Sequence, residues 1–398
     1  MNVTGGIRQV VAVSALNLAN LPGRWISSLV AIVGIAGVVM VTVGLLSIAA
    51  GFRAAMADTS RPDVTILLRA SATGEMDSNF SQDAVQAISA APGVAAAGNT
   101  MLVSPEVFVI VDVPRKSTGT SSNVPLRGVS ELAFDVRGNV RIVAGRMFTP
   151  GLNEILVGRG ALANFAGLEL GRTLKWGTRE WQVVGIMEAD GGVPESEIWA
   201  DARVVQASYR RGNSYSTVRA RLTSKDAFAE FKDAITADPR LNASVRPESE
   251  FYAEQSQFFA VFVTTIGVFV GVLMGLGAIF GAINTMYNAV AARIREIATL
   301  RALGFGALPV VASVLLEALL LGLVGGVLGA VLAYMIFNGF QVATLNWNSF
   351  SQVSFGFAVT PDLLQTGIMI ALFMGLLGGI LPGIRAARIP ITTALREL

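Results

Sequence analysis

The chain has 398 residues with 53% hydrophobic and 15% charged side chains and a mean hydropathy of +0.58, too apolar for an ordinary soluble protein and too charged to lie wholly within a membrane. It contains no cysteine and no histidine, which excludes thiol nucleophiles, imidazole bases, disulfides and most zinc sites, and with them the hydrolase triads. The net charge of +2 hides an uneven distribution, because Arg53 to Glu254 carries 22 of the 30 Lys and Arg and 24 of the 28 Asp and Glu, and no basic patch with interleaved aromatics argues for nucleic acid.

In chain order, residues 1–24 read as a cytoplasmic elbow, with Val11, Ser14, Ala15 and Leu18 on one side of an interfacial helix broken at Leu21-Pro22-Gly23. Residues 25–52 are uncharged. Small residues at Ser47-Ile48-Ala49 have cleavage-like spacing. The apolar run nevertheless exceeds the roughly 7 to 15 residues of a signal peptide, so a retained first transmembrane helix is expected.

Residues 53–254 form the soluble domain. Runs rich in β-branched residues predict strands at 64–68, 107–111, 154–157, 181–186 and 217–222. Helices are expected at Ser81 to Ala90, Gly160 to Ala166 and Ser224 to Ala237, the last with an apolar face of Ala227, Phe228, Phe231 and Ile235. The Ser/Gly/Thr-rich stretch Lys116 to Asn123 reads as an insertion or mobile loop.

No residue between Glu254 and Arg293 is charged. A helix of that length is about 57 Å, well beyond a hydrocarbon core of about 30 Å, so the second span, 255–290, is expected to continue into water and meet a short charged island at 291–306. Within the island Ile294, Ile297 and Leu300 recur at spacing three while Arg295, Glu296 and Thr299 point the other way. Arg301 interrupts the apolar sector, which suits a protein-facing surface. Gly304 and Gly306 close the helix and Pro309 fits the first turn of the next. The third span is 307–337, followed by an uncharged loop at 338–361, a fourth span at 362–382 ended by Pro382-Gly383, and a tail at 383–398. Four spans place Arg8, Arg24, Arg293, Arg295, Arg301, Arg385, Arg388 and Arg396 on one side, which the positive-inside rule makes the cytoplasm. The expected fold is an α-helical membrane protein with four transmembrane helices and a large α+β extracytoplasmic domain between the first and second.

Three stretches carry a resemblance. REIATLRALGFG with LLEALLLGLVGGVLGAVLA (Leu315 to Ala333), the segment Gly145 to Ile186, and the closing pattern Pro382, Ala386, Ala387, Pro390, Ala394, Leu395, Arg396 together resemble the permeases of MacB-like and FtsX-like ABC transporters. The resemblance implies that 291–306 is a coupling helix docking on an ATPase, through Arg293, Ile294, Arg295, Glu296, Ile297, Leu300, Arg301 and Gly304. Ile297 and Leu300 are the expected apolar anchors, with Arg295, Glu296 and Arg301 as flanking polar contacts. It also implies a two-lobed outer domain, with Arg61 to Val113 and Tyr215 to Glu254 in one lobe and Pro114 to Ser214 in the other.

Gly267, Gly271 and Gly275 step four apart in the second span, as do Gly322 and Gly326, Gly325 and Gly329, and Gly375 and Gly379 in the third and fourth. Such ridges let helices approach closely in lipid, and the second-span ridge is the first candidate for a dimer seam. Glu317, about 12 Å into the third span, is expensive there; a proton or substrate relay is one reading, pairing with an arginine of the coupling helix or tail the other. Glu195 and Glu197 read as solvated loop charges rather than acid/base catalysts. Lys116, Lys175, Lys225 and Lys232 lack the glycine of a P-loop, so the chain is expected to bind no metal and no cofactor itself, ATP and Mg being held by a separate ATPase subunit. The expected partners are that ATPase, a second permease copy or related permease, membrane lipid, and a periplasmic adaptor with an outer-membrane channel; nucleic acid is not among them. The implied activity is mechanotransmission in a bacterial inner membrane, driving export or extrusion of a lipoprotein or periplasmic substrate. Alternatives are an FtsX-like regulator that activates a cell-wall hydrolase, and a sensor without an ATPase.

Overall fold

A computed structural model describes residue 9 and residues 25–58, 60–346 and 349–390. The expected elbow, apart from Gln9, and the tail positions Ala394, Leu395 and Arg396 fall outside the described residues. The chain divides into two compact units, one comprising the described parts of Met1–Ala49, Phe262–Gly339 and Ala358–Leu398, the other Ala50–Val261 with Phe340–Phe357.

The first unit is helical. Its elements are α1 (Trp25–Arg53, to Ala49), α7 (Glu248–Ala291, from Phe262), α8 (Ile294–Ala302), α9 (Ala307–Phe337) and α10 (Pro361–Arg388). Four helices, Ser28–Ala57, Glu248–Ala291, Ala307–Phe337 and Pro361–Arg388, are long and apolar enough to cross a membrane. Ile35, Val38, Val39 and Val43 of α1 pack with Ala330 and Ala333 of α9 and Ala371 and Met374 of α10. Along α7, by contrast, Phe262, Phe269, Leu273 and Phe280 are exposed, a surface suited to lipid or a neighbouring helix. The fourth helix does not stop at Pro382; it continues to Arg388. Proline removes one backbone hydrogen bond and strains the turn before it. Here Gly378, Gly379, Pro382, Gly383, Ala386 and Ala387 are all buried, and their packing outweighs the local preference.

The second unit is built on one ten-stranded sheet. Its elements in chain order are β1 (Val64–Arg69), α2 (Gln82–Ser89), β2 (Ala96–Ala97), β3 (Thr100–Met101), β4 (Val103–Pro114), β5 (Ser121–Val129), α3 (Leu132–Arg137), β6 (Arg141–Gly145), β7 (Glu154–Gly158), α4 (Arg159–Asn164), β8 (Thr173–Trp176), β9 (Arg179–Glu188), β10 (Ile198–Asp201), α5 (Ala202–Ser208), β11 (Thr217–Arg221), α6 (Phe228–Ala237), β12 (Ala243–Pro247), the first turns of α7, and the hairpin β13 (Gln341–Asn346) and β14 (Ser351–Gly356). The strand order is β12-β1-β11-β4-β5-β10-β7-β9-β6, with β8 beside β9. Only β5–β10 and β7–β9 are parallel among these pairs.

The two lobes share a strand. Residues Val103 to Glu106 of β4 pair with β11, and Val107 to Pro114 pair with β5. One core gathers Leu67, Phe80, Val85, Ile88, Val218, Phe231 and Ile235, the other Val107, Val109, Leu126, Ile155, Trp181, Val183 and Ile198. The change of lobe therefore falls near Glu106, inside a continuous strand, and not at Pro114. Lys116 to Asn123 is the β4–β5 turn, with Ser121 to Asn123 already in β5. The stretch 338–361, expected as a loop, holds the β13–β14 hairpin, which belongs to this unit. The Ser354 amide donates to the Ser196 hydroxyl at 2.8 Å, Asn123 donates to the Phe350 carbonyl at 2.9 Å, and Phe355 sits edge-on to Phe52 with centroids 5.3 Å apart.

Candidate functional site

The charged island begins where α7 ends. Arg293, only 4% exposed, donates from one Nη to both carboxylate oxygens of Glu317, at 2.7 and 2.9 Å. Glu317 lies on the α9 face that also buries Val310, Val314, Ala318 and Leu321. A carboxyl group buried in a span is costly without a hydrogen-bonded partner, and this contact supplies one. Ile297 packs against the cluster of Met286, Val290, Val310, Val314 and Ala386. Arg301 donates to the carbonyl of Ile389 at 2.7 Å, and Arg385 lies 5.3 Å from the ring centre of Tyr287.

The eight island residues, together with Thr299, thus separate into three groups. Arg293, Ile297 and Arg301 face the helices of their own unit, and Ala298 is buried beside them. Arg295, Glu296, Thr299 and Gly304 are exposed, while Ile294 and Leu300 are half-buried. Ile297 and Arg301 therefore do not offer the outward anchor and flanking contact expected of them, because an amphipathic helix on a helical bundle first turns its apolar side to that bundle. Outward apolar surface comes instead from Leu303, just after α8 and 73% exposed, and Leu308, in the first turn of α9 and 76% exposed. Gly304 has φ +95°, a conformation that favours glycine, and it sets the direction of the turn after α8.

The glycine ridges are occupied within the chain. A Cβ at Gly322, Gly326, Gly375 or Gly379 would fall 2.6 to 2.8 Å from atoms of Ala371 or Ala318, and one at Gly329 would fall 2.5 Å from the Ala36 carbonyl. These are the α9–α10 and α9–α1 seams. A Cβ at Gly271 would lie 2.9 Å from the Thr42 hydroxyl, one at Gly267 3.3 Å from Leu45, and one at Gly275 3.6 Å from the Met374 sulfur. The second-span ridge thus faces α1 and α10 of its own chain and is not an open seam for a second copy.

The sheet-bearing unit holds a constellation that the sequence reading missed: Arg127, Arg137 and Arg219 meet Glu75, Glu106, Glu197 and Glu248, all buried. Arg127 on β5 binds Glu75 at 2.7 Å, Glu106 at 2.9 Å and Glu197 at 2.6 Å. Arg137, at the end of α3, reaches Glu106 at 3.0 Å and Glu248 at 3.2 Å. Arg219 on β11 contacts Glu248 at 2.7 Å, Glu75 at 3.2 Å, the Tyr252 hydroxyl at 2.9 Å, and Glu106. Trp199 donates its indole N–H to Glu197 at 2.7 Å. Glu197 is 1% exposed, so it is not the solvated loop charge expected; Glu195 accepts from the Ala189 and Gly191 amides.

Burial by itself would push the Glu75 carboxyl up, but Arg127 and Arg219 outweigh it and hold that carboxyl down to about 2. Glu106 is likewise lowered, by Arg137, Arg219 and Arg127 against its burial. By formal charge, three guanidinium groups and four carboxylates leave the hub with one net negative charge. It joins β4, β5, β11 and α3 to the first turn of α7, through Glu248 and Tyr252. A signal existed in the sequence: Arg127 in VPLRGV and Arg219 in TVRAR interrupt strand runs at inward positions. Among the described residues no group of three or more acidic side chains is arranged to hold a metal.

Residues 28–238 match the model of the MacB-like periplasmic core domain, and residues 258–391 match the FtsX-like permease C-terminal model. The macrolide export ATP-binding/permease protein MacB 1/2 of Paracoccus denitrificans is 26% identical over 318 residues, covering 74% of this chain and 45% of its own. The chain thus spans about half the length of that relative. The uncharacterized ABC transporter permease YknZ of Bacillus subtilis is 24% identical over 295 residues, 69% of this chain and 70% of its own. The crystal structure of the periplasmic region of MacB from Actinobacillus actinomycetemcomitans aligns with TM-score 0.37 and 14% identity, over 48% of this chain and 92% of that one.

Proposed function

The chain belongs to the family of ABC transporter permeases with a MacB-like periplasmic core domain and an FtsX-like C-terminal region, and from that premise we propose that it converts ATP hydrolysis by a partner ATPase into movement of its extracytoplasmic domain. It works in a bacterial inner membrane as a multi-pass subunit, with a second copy or a related permease, and drives export or extrusion of a lipoprotein or other periplasmic substrate. ATP and Mg are held by the partner.

The observation that carries this reading is the two-sided island. Arg293, Ile297 and Arg301 tie it to α7, α9 and the end of α10, while Arg295, Glu296, Thr299, Leu303 and Leu308 face outward. A displacement applied to the outer side is passed to three membrane helices at once. The outer side has what an interface needs: apolar anchors at Leu303 and Leu308, with polar groups around them that orient the contact. In the other unit, the hub fixes the first turn of α7 to both lobes of the sheet.

The test is Leu303→Asp with Leu308→Asp in the full-length permease. Burying these charges in an interface costs several kcal/mol unless it rearranges, roughly the scale at which a complex is lost. The permease should remain inserted and folded but no longer retain its ATP-binding subunit or stimulate its turnover. Normal retention and normal turnover would exclude this face as the ATPase contact.

A further inference from the structure

The chain passes between its two units at four places, after Ala49, Val261, Gly339 and Phe357. A phenylalanine of the sheet-bearing unit stands at or close to each of them: Phe52, Phe259, Phe340 and Phe357. Phe355 of β14 joins these four. Its ring lies edge-on to Phe52 at 5.3 Å and to Phe259 at 6.4 Å, and nearly parallel to Phe357 at 6.2 Å. Phe52 and Phe259 are themselves 4.5 Å apart, and Phe340 meets Phe357 edge-on at 5.8 Å. Phe52 and Phe355 are fully buried. Aromatic pairs favour edge-on and offset arrangements, so such contacts fix the orientation of the rings as well as their separation.

Polar contacts tie the same segments together. The Phe357 amide donates to the Phe340 carbonyl at 3.0 Å and closes the base of the β13–β14 hairpin. Asn346 of the hairpin donates to the side-chain carbonyl of Gln255 at 2.9 Å. The Ser196 hydroxyl accepts from the Ser354 amide at 2.8 Å and donates to the Ser354 carbonyl at 3.2 Å. On α7, Glu248 and Tyr252 enter the ionic hub, Gln255 holds the hairpin and Phe259 enters the ring set. Steps of four, three and four place these residues along one face of the helix, while Ala253, Glu254, Gln257 and Phe258 are exposed. From Glu248 to Ile266 the helix has neither glycine nor proline, the residues at which helices most often kink. The start of α7 is thus a stiff rod held along one side.

We infer that Phe355 is the positioning residue of a joint that binds the four chain passages into one mechanical body, so that a tilt of α1, α7, α9 or α10 reaches the sheet as a movement of the whole unit. Phe355 holds the central place in the ring set. Without it these contacts fall into two separate pairs, Phe52 with Phe259 and Phe340 with Phe357. The joint serves the movement proposed above and rests on that reading for its driving force, but the coupling between its segments is a property of the fold alone.

The test is amide hydrogen exchange of the full chain in nanodiscs, for Phe355→Ala and for Phe355→Leu, which keeps the site apolar but loses the ring. Exchange should rise together in residues 50–57, 248–259 and 341–356, by at least about tenfold in Phe355→Ala and less in Phe355→Leu, while β6 to β9 stay protected. A rise confined to 341–356 would make Phe355 an ordinary core residue of the hairpin and overturn the inference. Unchanged exchange in all three segments, or loss of protection throughout the sheet in both variants, would overturn it too. The second measurement adds the ATP-binding subunit, trapped with ATP and vanadate. Wild type should then show a nucleotide-dependent change in 341–356, and Phe355→Ala should lose most of it while ATP turnover stays close to that of wild type. Retention of the change in Phe355→Ala, or loss of turnover along with it, would overturn the positioning role. Absence of any nucleotide-dependent change in wild type would contradict the proposed function instead, and the pattern without nucleotide still decides the joint.

Discussion

Arg219→Met is the sharpest perturbation of the ionic hub. The substitution keeps the unbranched stem of the side chain but removes its contacts with Glu106, Glu75, Glu248 and Tyr252. Four buried carboxylates then face two guanidinium groups, and the hub's net charge moves from one negative to two. Removing one partner from a buried ionic cluster costs about 3 to 5 kcal/mol, against a total of about 5 to 15 kcal/mol for a typical domain. The full-length protein in detergent should therefore show a clearly lower unfolding midpoint in denaturant. Trp199 reports locally, because its indole N–H is bonded to Glu197. Adding Glu106→Gln restores the net charge to one negative, so the double variant should recover part of the loss. A decrease below about 1 kcal/mol in Arg219→Met, the range of an exposed ion pair, or an additive further loss in the double variant, would refute the reading of the hub as a mutually compensating ionic set.

Three more outcomes are expected. Glu75, held at about 2 against an ordinary 4.5, contributes stability that is complete above pH 4.5 and lost as pH falls toward 2, a span worth about 3 kcal/mol; Glu75→Gln should flatten the acid side of the stability profile. Arg293→Met or Glu317→Gln alone leaves an uncompensated buried charge and should reduce the yield of monodisperse permease in size-exclusion chromatography, whereas the two together should recover much of it. For topology, single cysteines at Ser121 and Thr299 of this cysteine-free chain should react differently with an impermeant thiol reagent on whole cells: Ser121 labels, and labelling at Thr299 would refute a cytoplasmic island.

How legible each part was in the sequence depended on how local its cause is. Strands such as Val64–Arg69 and Glu154–Gly158 and helices such as Gln82–Ser89 follow from neighbouring residues, with Ser81 capping the last by accepting from the Ala84 amide. Apolar length likewise made four candidate spans readable. The β13–β14 hairpin was hidden because an uncharged connection between two spans reads as a loop. Its alternation of Val342 and Thr344 against Phe355 and Val353 becomes informative only with a surface to pack on. The hub joins residues as distant as Glu75 and Arg219, 144 positions apart, and no periodicity reports such a pairing. The two faces of the island were visible, but which face turned inward was not, since that is decided by the cluster of Val310, Val314 and Ala386 around Ile297. The helix through Pro382 is a similar case, where packing around Gly378, Gly379 and Gly383 outweighs a local breaker.

The central claim is that the outward face of the island, and not its apolar inner side, meets an ATP-binding subunit. It is tested most directly by placing a photo-crosslinking amino acid singly at Leu303, Thr299 and Ile297 of the full-length permease in living cells and identifying the captured polypeptides. Adducts at Leu303 and Thr299 with a polypeptide carrying a P-loop, and none at Ile297, are the expected result. Capture of that polypeptide from Ile297 but not from Leu303, or capture of no nucleotide-binding polypeptide from any of the three positions, would contradict the account.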